Sequence, residues 1–256
     1  MILEQCFDET MGRYRDEFVT IPIHEGMGIE EIYILIYKRI KEILDDFHKR
    51  VPSKDKTTDI KKLITLCGIE IIEKSLTVHS DQFCYKMFGY LAYDNYVSAQ
   101  YQWKMYVNKT MSSLNRRYAM AHQLAYFLLK KDKCEKHACT RYDVYPFFSK
   151  NPEELLSDII TSFLLMPLDL IIEIMKEYLE QHQKKEMDAF GWIQYLGNKV
   201  RLSNYHTVMC YQNIRYLAEI LAECSKKGTT RIGNGYDRND FKDIFEKLEQ
   251  CPELFR

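Results

Sequence analysis

Three polar side chains lie close together in an otherwise apolar stretch, and their types and spacing could serve a metal ion. His122, Gln123 and Tyr126 belong to the segment "AHQLAY". The surrounding alanines, leucines and aromatic residues predict a buried helix over residues 116–130. Residues four positions apart share one face of a helix, so the side chains of His122 and Tyr126 should point to the same side.

Residues 122–126 have the spacing of the H-E-x-x-H metal-site motif, but two of its three defining positions are substituted. In the motif, two histidines bind one zinc ion, and the glutamate between them takes a proton from zinc-bound water. Here His122 stands at the first ligand position, Gln123 at the position of the general base and Tyr126 at that of the second histidine. An amide does not accept that proton, and a phenol with a pKa of about 10 replaces a neutral imidazole poorly at pH 7. The motif is therefore degenerate, and we expect hydrolysis to be impaired.

Two carboxylates follow at the same spacing on a second predicted helix. Glu154 and Asp158 are four residues apart, with Ser157 between them, and "LLMP" follows at residues 164–167. The helix should start at Asn151-Pro152, because a capping residue followed by proline is typical of a helix N-terminus. Both carboxylates can then face the His122 helix.

The order and register of these motifs resemble the ImmA/IrrE family of metallopeptidases. That family typically shows A-H-E-L-G-H on its active-site helix and E-x-x-[AS]-[ND] before L-L-M-P, in register with residues 121–126 and 154–158 here. The resemblance covers residues 57–225 and implies a zincin-like body. It implies metal ligands at His122 and Glu154, with Asp158 as a further candidate, and zinc as the cofactor of active members. Family members commonly act on helix-turn-helix repressors in mobile-element or stress regulation.

Composition restricts the class of protein. The 256 residues carry a formal net charge of −1, so we expect neither nucleic acid nor an anionic membrane as a partner. Only 10 glycines and 6 prolines favour an ordered, mostly helical chain. The eight scattered cysteines and the absence of a signal-peptide pattern at the N-terminus indicate a reduced, cytoplasmic protein.

One cysteine-rich stretch could bind metal by itself. Cys134, His137 and Cys139 lie close together in a polar segment over residues 130–150, which we interpret as a loop. Zinc sites usually consist of two separated ligand pairs, and no second pair is near in the sequence. An ordinary loop with incidental thiols is therefore the preferred interpretation.

The patterns predict an α+β, mostly helical fold with a small β-sheet or hairpin, a central active-site-type helix and C-terminal helices. β structure is expected over residues 83–108, with an alternating strand at 100–108. A short helix after a threonine cap should end at Gly68, before a strand from Ile69. The other predicted helices cover residues 29–48, 152 to Pro167, 168–185, 188–197, 203–225 and 240–250. The expected domains are an N-terminal helical segment over 1–52, the metallopeptidase-like domain over 53–225, and a loop with a C-terminal helix over 226–256.

Three functions remain open. The first is a catalytically degenerate protein without a bound cofactor. It would bind a protein or peptide, such as a helix-turn-helix regulator, in a groove between strand residues 101–107 and the His122 helix. The second is a divergent zinc-dependent endopeptidase that uses His122, Glu154 and Asp158. The third is a DNA-binding or oligomerising regulator that uses the helices at 188–225.

Overall fold

A computed structural model describes the part of the chain that carries most of these motifs. The described residues are 21, 23, 26–52, 57–79, 84–93, 103–129, 137–140, 152–182, 188–226, 231–232, 236–237, 242–249 and 251. The chain divides into two compact units, one formed by residues 1–21 and 58–161 and the other by residues 22–57 and 162–256. The boundary between the units falls within a single helix.

The secondary structure confirms the α+β, mostly helical class. Along the described chain, the elements of the first unit are α2 (Ile60–Leu66), β1 (Ile69–Lys74), β2 (Thr77–His79), β3 (Cys84–Tyr93), β4 (Trp103–Asn108), α3 (Ser113–Leu129), β5 (His137–Thr140) and the first ten residues of α4 (Pro152–Leu165). Those of the second unit are α1 (Ile29–Arg50), the end of α4, α5 (Leu168–Gln181), α6 (Ala189–Val200), α7 (Asn204–Lys226), β6 (Arg231–Ile232), β7 (Tyr236–Asp237) and α8 (Lys242–Glu249).

A mixed five-stranded sheet supports the first unit. β1 runs parallel to β4, whose other edge pairs with β3, and both β2 and β5 pair with β3 in antiparallel register. Helix α3 packs on the face that carries Leu91, Met105 and Val107, which are buried. A Cβ at Gly89 would lie 2.7 Å from the backbone oxygen of Tyr106, so the close approach of β3 to β4 requires glycine there.

Asn108 fixes the turn that leads from β4 into α3. Its side chain is fully buried and donates to the carbonyl oxygen of Leu76 at 2.9 Å. Its Oδ1 accepts from the backbone N–H of Thr110 at 3.0 Å and from the Thr110 hydroxyl at 2.9 Å. A buried amide is tolerated because its donor and acceptor groups are engaged. The start of the helix that carries His122 is thereby tied to the segment after β1.

Charged residues join α2, β1 and α3 at the surface of the same unit. Lys61 donates to Glu73 Oε1 at 2.6 Å, and Arg116 donates to Glu73 Oε2 at 2.9 Å. The guanidinium of Arg117 donates to the carbonyl of Thr58 at 2.8 Å. These contacts come from three elements and hold α3 at one orientation on the sheet.

The second unit is helical apart from the short β6–β7 pair among its described residues. The apolar stripe of α1 is buried and includes Ile36, Ile40 and Phe47. The Tyr33 hydroxyl donates to Asn213 Oδ1 at 2.7 Å, and the Asn213 amide donates to Ser162 Oγ at 2.9 Å. This polar chain connects α1 to α7 and to the end of α4.

Several element boundaries differ from the sequence-based predictions for local reasons. The predicted threonine cap of α2 is wrong, because Asp59 accepts from the backbone N–H of Lys62. Helix α3 begins at Ser113 rather than 116, since Ser112 accepts from the N–H of Asn115. Helix α6 continues past Gly197 to Val200. Gly197 faces Thr207, whose hydroxyl would lie 2.8 Å from a Cβ, so this glycine serves packing rather than helix termination.

Residues 137–140 correct the prediction of a continuous polar loop over 130–150. They form β5 and pair with Met87–Leu91 of β3. Such a short strand is stabilised by its partner, so its own sequence gives little signal. The other predicted loop residues, 130–136 and 141–150, lie outside the described part of the chain, as does Cys134.

The described helices differ in length and apolar character. No single one of them is both long and apolar enough to cross a bilayer, although α4 and α5, as a bent pair, meet the length and composition criteria together.

Candidate functional site

Two helices of the first unit bring the predicted site residues together. On α3, Tyr118, His122 and Tyr126 recur every four residues and therefore form one stripe. On α4, Glu154 and Asp158 are separated by one turn in the same way. We call these five side chains the His122 cluster.

The imidazole of His122 lies directly between the two carboxylates. Its Nε2 is 3.3 Å from Oε2 of Glu154 and 3.4 Å from Oδ1 of Asp158. The His122 side chain is only 3% exposed, and those of Glu154 and Asp158 are 19% and 13% exposed. Both distances exceed the usual range of about 2.7–3.2 Å for N–H···O bonds, so they are close polar contacts rather than short hydrogen bonds.

Tyr118 completes the cluster from one turn before the histidine. Its hydroxyl donates to Oδ1 of Asp158 at 3.0 Å, the same oxygen that lies near His122. The Tyr118 and His122 rings are stacked, with centroids 6.0 Å apart and an interplanar angle of 27°. Sequence reasoning missed Tyr118, although its spacing of four residues before His122 is a signal that could have indicated it.

The two substituted motif positions are both interior. Gln123 is fully buried, and Tyr126 is 8% exposed. At the position of the general base, the chain therefore places a neutral amide inside the protein rather than a carboxylate. At the second-histidine position it places a phenol, which is a weak zinc ligand at neutral pH.

A sequence model described as the IrrE N-terminal-like domain matches residues 68–204, more than half of the chain. The chain belongs to this family. Both helices of the His122 cluster lie in the matched segment, and the protein is metallopeptidase-like. Comparison with curated proteins gives no match.

The residues of the IrrE-like domain do not fit the hydrolytic zinc centre that is typical of the family. Such a centre needs three protein ligands and a base near the bound water. His122 Nε2 lies 3.3–3.4 Å from carboxylate oxygens of Glu154 and Asp158, but no group of three or more histidine, cysteine, aspartate or glutamate side chains among the described residues surrounds a common metal position. The cluster offers one imidazole and two carboxylates, with Tyr126 and Gln123 in place of the second imidazole and the base. No hydrolytic step is therefore assigned to these residues.

The groove that the sequence predicted between residues 101–107 and α3 is not open along β4, the described strand of this region. β4 (Trp103–Asn108) is an interior strand with β1 on one edge and β3 on the other. Its backbone cannot pair with a peptide, and Met105 and Val107 are buried on the α3 side. Over residues 103–107 the predicted groove is therefore absent, and residues 101 and 102 lie outside the described part of the chain.

Proposed function

We propose that this chain is a catalytically degenerate member of its family that acts by binding a protein or peptide partner. The observation that carries this proposal is the direct contact of His122 with Glu154 and Asp158, beside a buried Gln123 and Tyr126. A histidine in contact with two carboxylates connects α3 and α4 through polar contacts without a metal. Cytoplasmic location and a role in transcription regulation belong to the same proposal.

The exposed residues at the edge of the His122 cluster indicate what kind of partner would bind there. Leu114 lies one turn before Tyr118 on the same stripe of α3, and its side chain is 36% exposed. Leu155, next to Glu154, is also 36% exposed. Exposed leucines beside partly exposed carboxylates suit a peptide that presents an apolar side chain and a basic one. A helix-turn-helix regulator is the partner class that we propose, by analogy with the targets of the family.

Binding of a regulator without its cleavage would distinguish a binding protein from an active peptidase. The full chain would be mixed with a panel of purified helix-turn-helix regulators. Affinity would be measured by isothermal titration calorimetry, and the mass of each regulator after prolonged incubation with zinc by mass spectrometry. The proposal expects at least one regulator to bind while its mass stays unchanged. Cleavage that disappears in His122→Ala would overturn it.

The binding surface can be tested with a matched pair of variants. Leu114→Glu places a charge beside the cluster, and we expect it to weaken regulator binding about ten-fold or more, since loss of an apolar contact typically costs about 1–2 kcal/mol. Val208→Glu changes a similarly exposed apolar residue of α7 in the second unit. If the two substitutions weakened regulator binding equally, the binding surface would not lie near the His122 cluster, which would contradict this assignment.

One observation favours the second candidate, a divergent metal-dependent endopeptidase. Two ligand atoms on a tetrahedral metal with bonds of about 2.0–2.1 Å lie about 3.3–3.4 Å apart, which is the separation of His122 Nε2 from each carboxylate oxygen. Against this candidate stands the missing base. General-base catalysis typically contributes about 10²–10⁴-fold to the rate, and Gln123 cannot supply it.

The third candidate, DNA binding through the helices at 188–225, has no specific observation in its favour. The exposed positions of α7 include Tyr205, Val208 and Glu219, which do not form a basic surface. DNA recognition elements normally come with such a surface.

A further inference from the structure

Strand β1 ends the five-stranded sheet of the first unit on one side. It pairs with β4 along one edge, in parallel register, and no strand in the described part of the chain lies along its other edge. We call this the outer edge of β1. A sheet edge presents a row of backbone N–H and C=O groups that can pair with another extended chain. The outer edge takes no part in the proposed function.

The hydrogen bonds of β1 define which of its residues point outward. The backbone N–H of Lys109, directly after β4, donates to the carbonyl oxygen of Lys74 at 3.0 Å. Lys74 therefore directs its backbone polar groups toward β4, and these groups alternate between the two edges along a strand. The N–H and C=O groups of Ile71 and Glu73 must then point to the outer edge.

Three half-buried side chains of β1 share the sheet face opposite α3. They belong to Glu70, Ile72 and Lys74, which alternate along the strand. Ile72 is in register with Tyr106, and the next residue of β4, Val107, is buried on the α3 side. The side chains of Glu70, Ile72 and Lys74 therefore form a row that points away from α3.

This row contains one positioned cation and one carboxylate. Lys74 Nζ donates to the Tyr90 hydroxyl at 2.9 Å and lies 4.0 Å from the centroid of the Tyr106 ring. An ammonium group has three donors, so Lys74 can also donate to a carboxylate at the outer edge. The Glu70 side chain forms no hydrogen bond or ion pair with another described residue. The two opposite charges are four residues apart on the same face of β1.

A second copy of β1 fits the outer edge best in one antiparallel register. Outward-pointing residues lie opposite each other in an antiparallel pair, so under two-fold symmetry one residue lies opposite its own copy. With Ile72 on the axis, Glu70 lies opposite Lys74 of the second copy, and Ile71 lies opposite its Glu73. An axis at Glu70, Glu73 or Lys74 would place like charges opposite each other, and an axis at Ile71 would place Glu70 opposite Ile72.

We propose that β1 pairs with β1 of a second copy of this chain, antiparallel about an axis at Ile72, and joins the two sheets into one. Each Ile71–Glu73 pair exchanges both of its N–H···O bonds across the interface. The Glu70–Lys74 pairs occupy the positions without backbone bonds, where opposite side chains lie closer together. The contact is short, so the dimer is weak and its population rises with concentration. Neither success nor failure of this proposal bears on the His122 cluster.

Sedimentation equilibrium of the full chain, from micromolar to millimolar concentration, tests the proposal with two charge reversals. Glu70→Lys places two ammonium groups opposite each other, and Lys74→Glu places two carboxylates opposite each other. We expect each variant to self-associate about ten-fold more weakly or less, since opposite charges directly across two strands stabilise the pair and like charges destabilise it. Glu180→Lys, at an exposed position of α5, should leave association unchanged. A wild type that stays monomeric at millimolar concentration would overturn the proposal.

Mixing the two reversed variants restores opposite charges across the axis. In a dimer of one Glu70→Lys chain and one Lys74→Glu chain, each ammonium group lies opposite a carboxylate. We expect the equimolar mixture to associate about as tightly as the wild type, while each variant alone stays weaker. This recovery requires both variants to be folded, so it separates a lost contact from a lost fold. A mixture that associates no better than the separate variants would overturn the register.

An introduced thiol tests the position of the axis independently. Ile72→Cys places two thiols opposite each other at a close pair without backbone bonds, a geometry that suits a disulfide. Ile71→Cys, the matched control, places its thiol opposite Glu73 on the other face of the sheet. With an added mild oxidant, Ile72→Cys chains should form a dimer linked through the introduced thiols, identified by mass spectrometry, and Ile71→Cys chains much less. Equal cross-linking of both variants, or none of either, would overturn the assignment of Ile72 to the axis.

Discussion

The hydroxyl of Tyr118 donates a 3.0 Å hydrogen bond to Oδ1 of Asp158, so α3 and α4 are joined through their polar side chains. The same oxygen lies 3.4 Å from Nε2 of His122, whose other carboxylate neighbour is Glu154. Asp158 thus accepts from a phenol and neighbours an imidazole through a single oxygen. The relationship links the His122 stripe on α3 to the acidic residues on α4.

Removing the Tyr118 hydroxyl should destabilise the protein. Tyr118→Phe keeps the stacked ring and removes the donor to Asp158. Because loss of a hydrogen bond to a charged, mostly buried group costs about 1–3 kcal/mol, we expect the free energy of unfolding to fall by about that amount in urea titrations. Tyr205→Phe, at an exposed position of α7, is the control and should change it little. Equal stability of the Tyr118 variant and the wild type would show that the bond makes no net contribution.

Restoring the second imidazole should create zinc affinity. Tyr126→His places two histidines four residues apart on α3, with Glu154 as a third ligand, which is the donor set of a catalytic zinc site. We expect this variant to retain zinc in competition with a chromophoric chelator. Tyr126→Phe tests removal of the phenol alone and should gain no affinity. Zinc retention by the wild type as strong as that of Tyr126→His would show that the present residues already bind metal.

The Asn108 turn should be necessary for stability. Asn108→Ala leaves the carbonyl of Leu76 and the Thr110 groups without their buried partner, and we expect a loss of about 2–3 kcal/mol in the free energy of unfolding. Asn115→Ala, in the first turn of α3, provides the matched control. A loss below about 0.5 kcal/mol, the usual range for surface substitutions, would contradict the role assigned to Asn108.

Glu73 should make a pH-dependent contribution to the free energy of unfolding. The hydrogen bond from Lys61 lowers the pKa of Glu73 below its usual value of 4.5; desolvation opposes the change, and the charges of Lys61 and Arg116 add to it. A lowered folded-state pKa means that the contribution is present above the unfolded-state pKa and is lost as the pH falls through the folded-state pKa. Because the side chain is 33% exposed, the effect should stay below about 1 kcal/mol.

The measurement for Glu73 compares urea unfolding of Glu73→Gln and the wild type between pH 7 and pH 3. The difference in the free energy of unfolding should be greatest near pH 7 in low salt. It should disappear toward pH 3 and shrink in high salt, where charges are screened. A difference that grows on acidification would contradict the assigned direction of the pKa shift.

The parts of the site that depend on local periodicity were predictable from the sequence. The four-residue spacing of His122 and Tyr126, and that of Glu154 and Asp158, defines a face on each helix, and the register of the resembled family indicated that these two faces meet. Tyr118 obeys the same spacing. The motif frame begins at His122, however, and carries no information on the residue one turn before it.

Features that depend on distant partners could not be predicted in this way. β5 exists because residues 137–140 pair with β3, and β4 is interior because β1 and β3 occupy both of its edges. Neither fact leaves a clear pattern within the strand itself. A cleft of the second unit, lined by Leu44 and Phe163, also combines residues distant in sequence, whose apolar character alone indicates only burial.

Elemental analysis of the purified, untagged protein tests the central claim most directly. The wild type and His122→Ala would be incubated with zinc, dialysed and measured for metal per chain. The proposal of a degenerate, metal-free cluster predicts far less than one zinc per chain, with no difference between the two proteins. About one zinc per chain in the wild type, lost in His122→Ala, would contradict the proposal and identify the His122 cluster as a functional metal site.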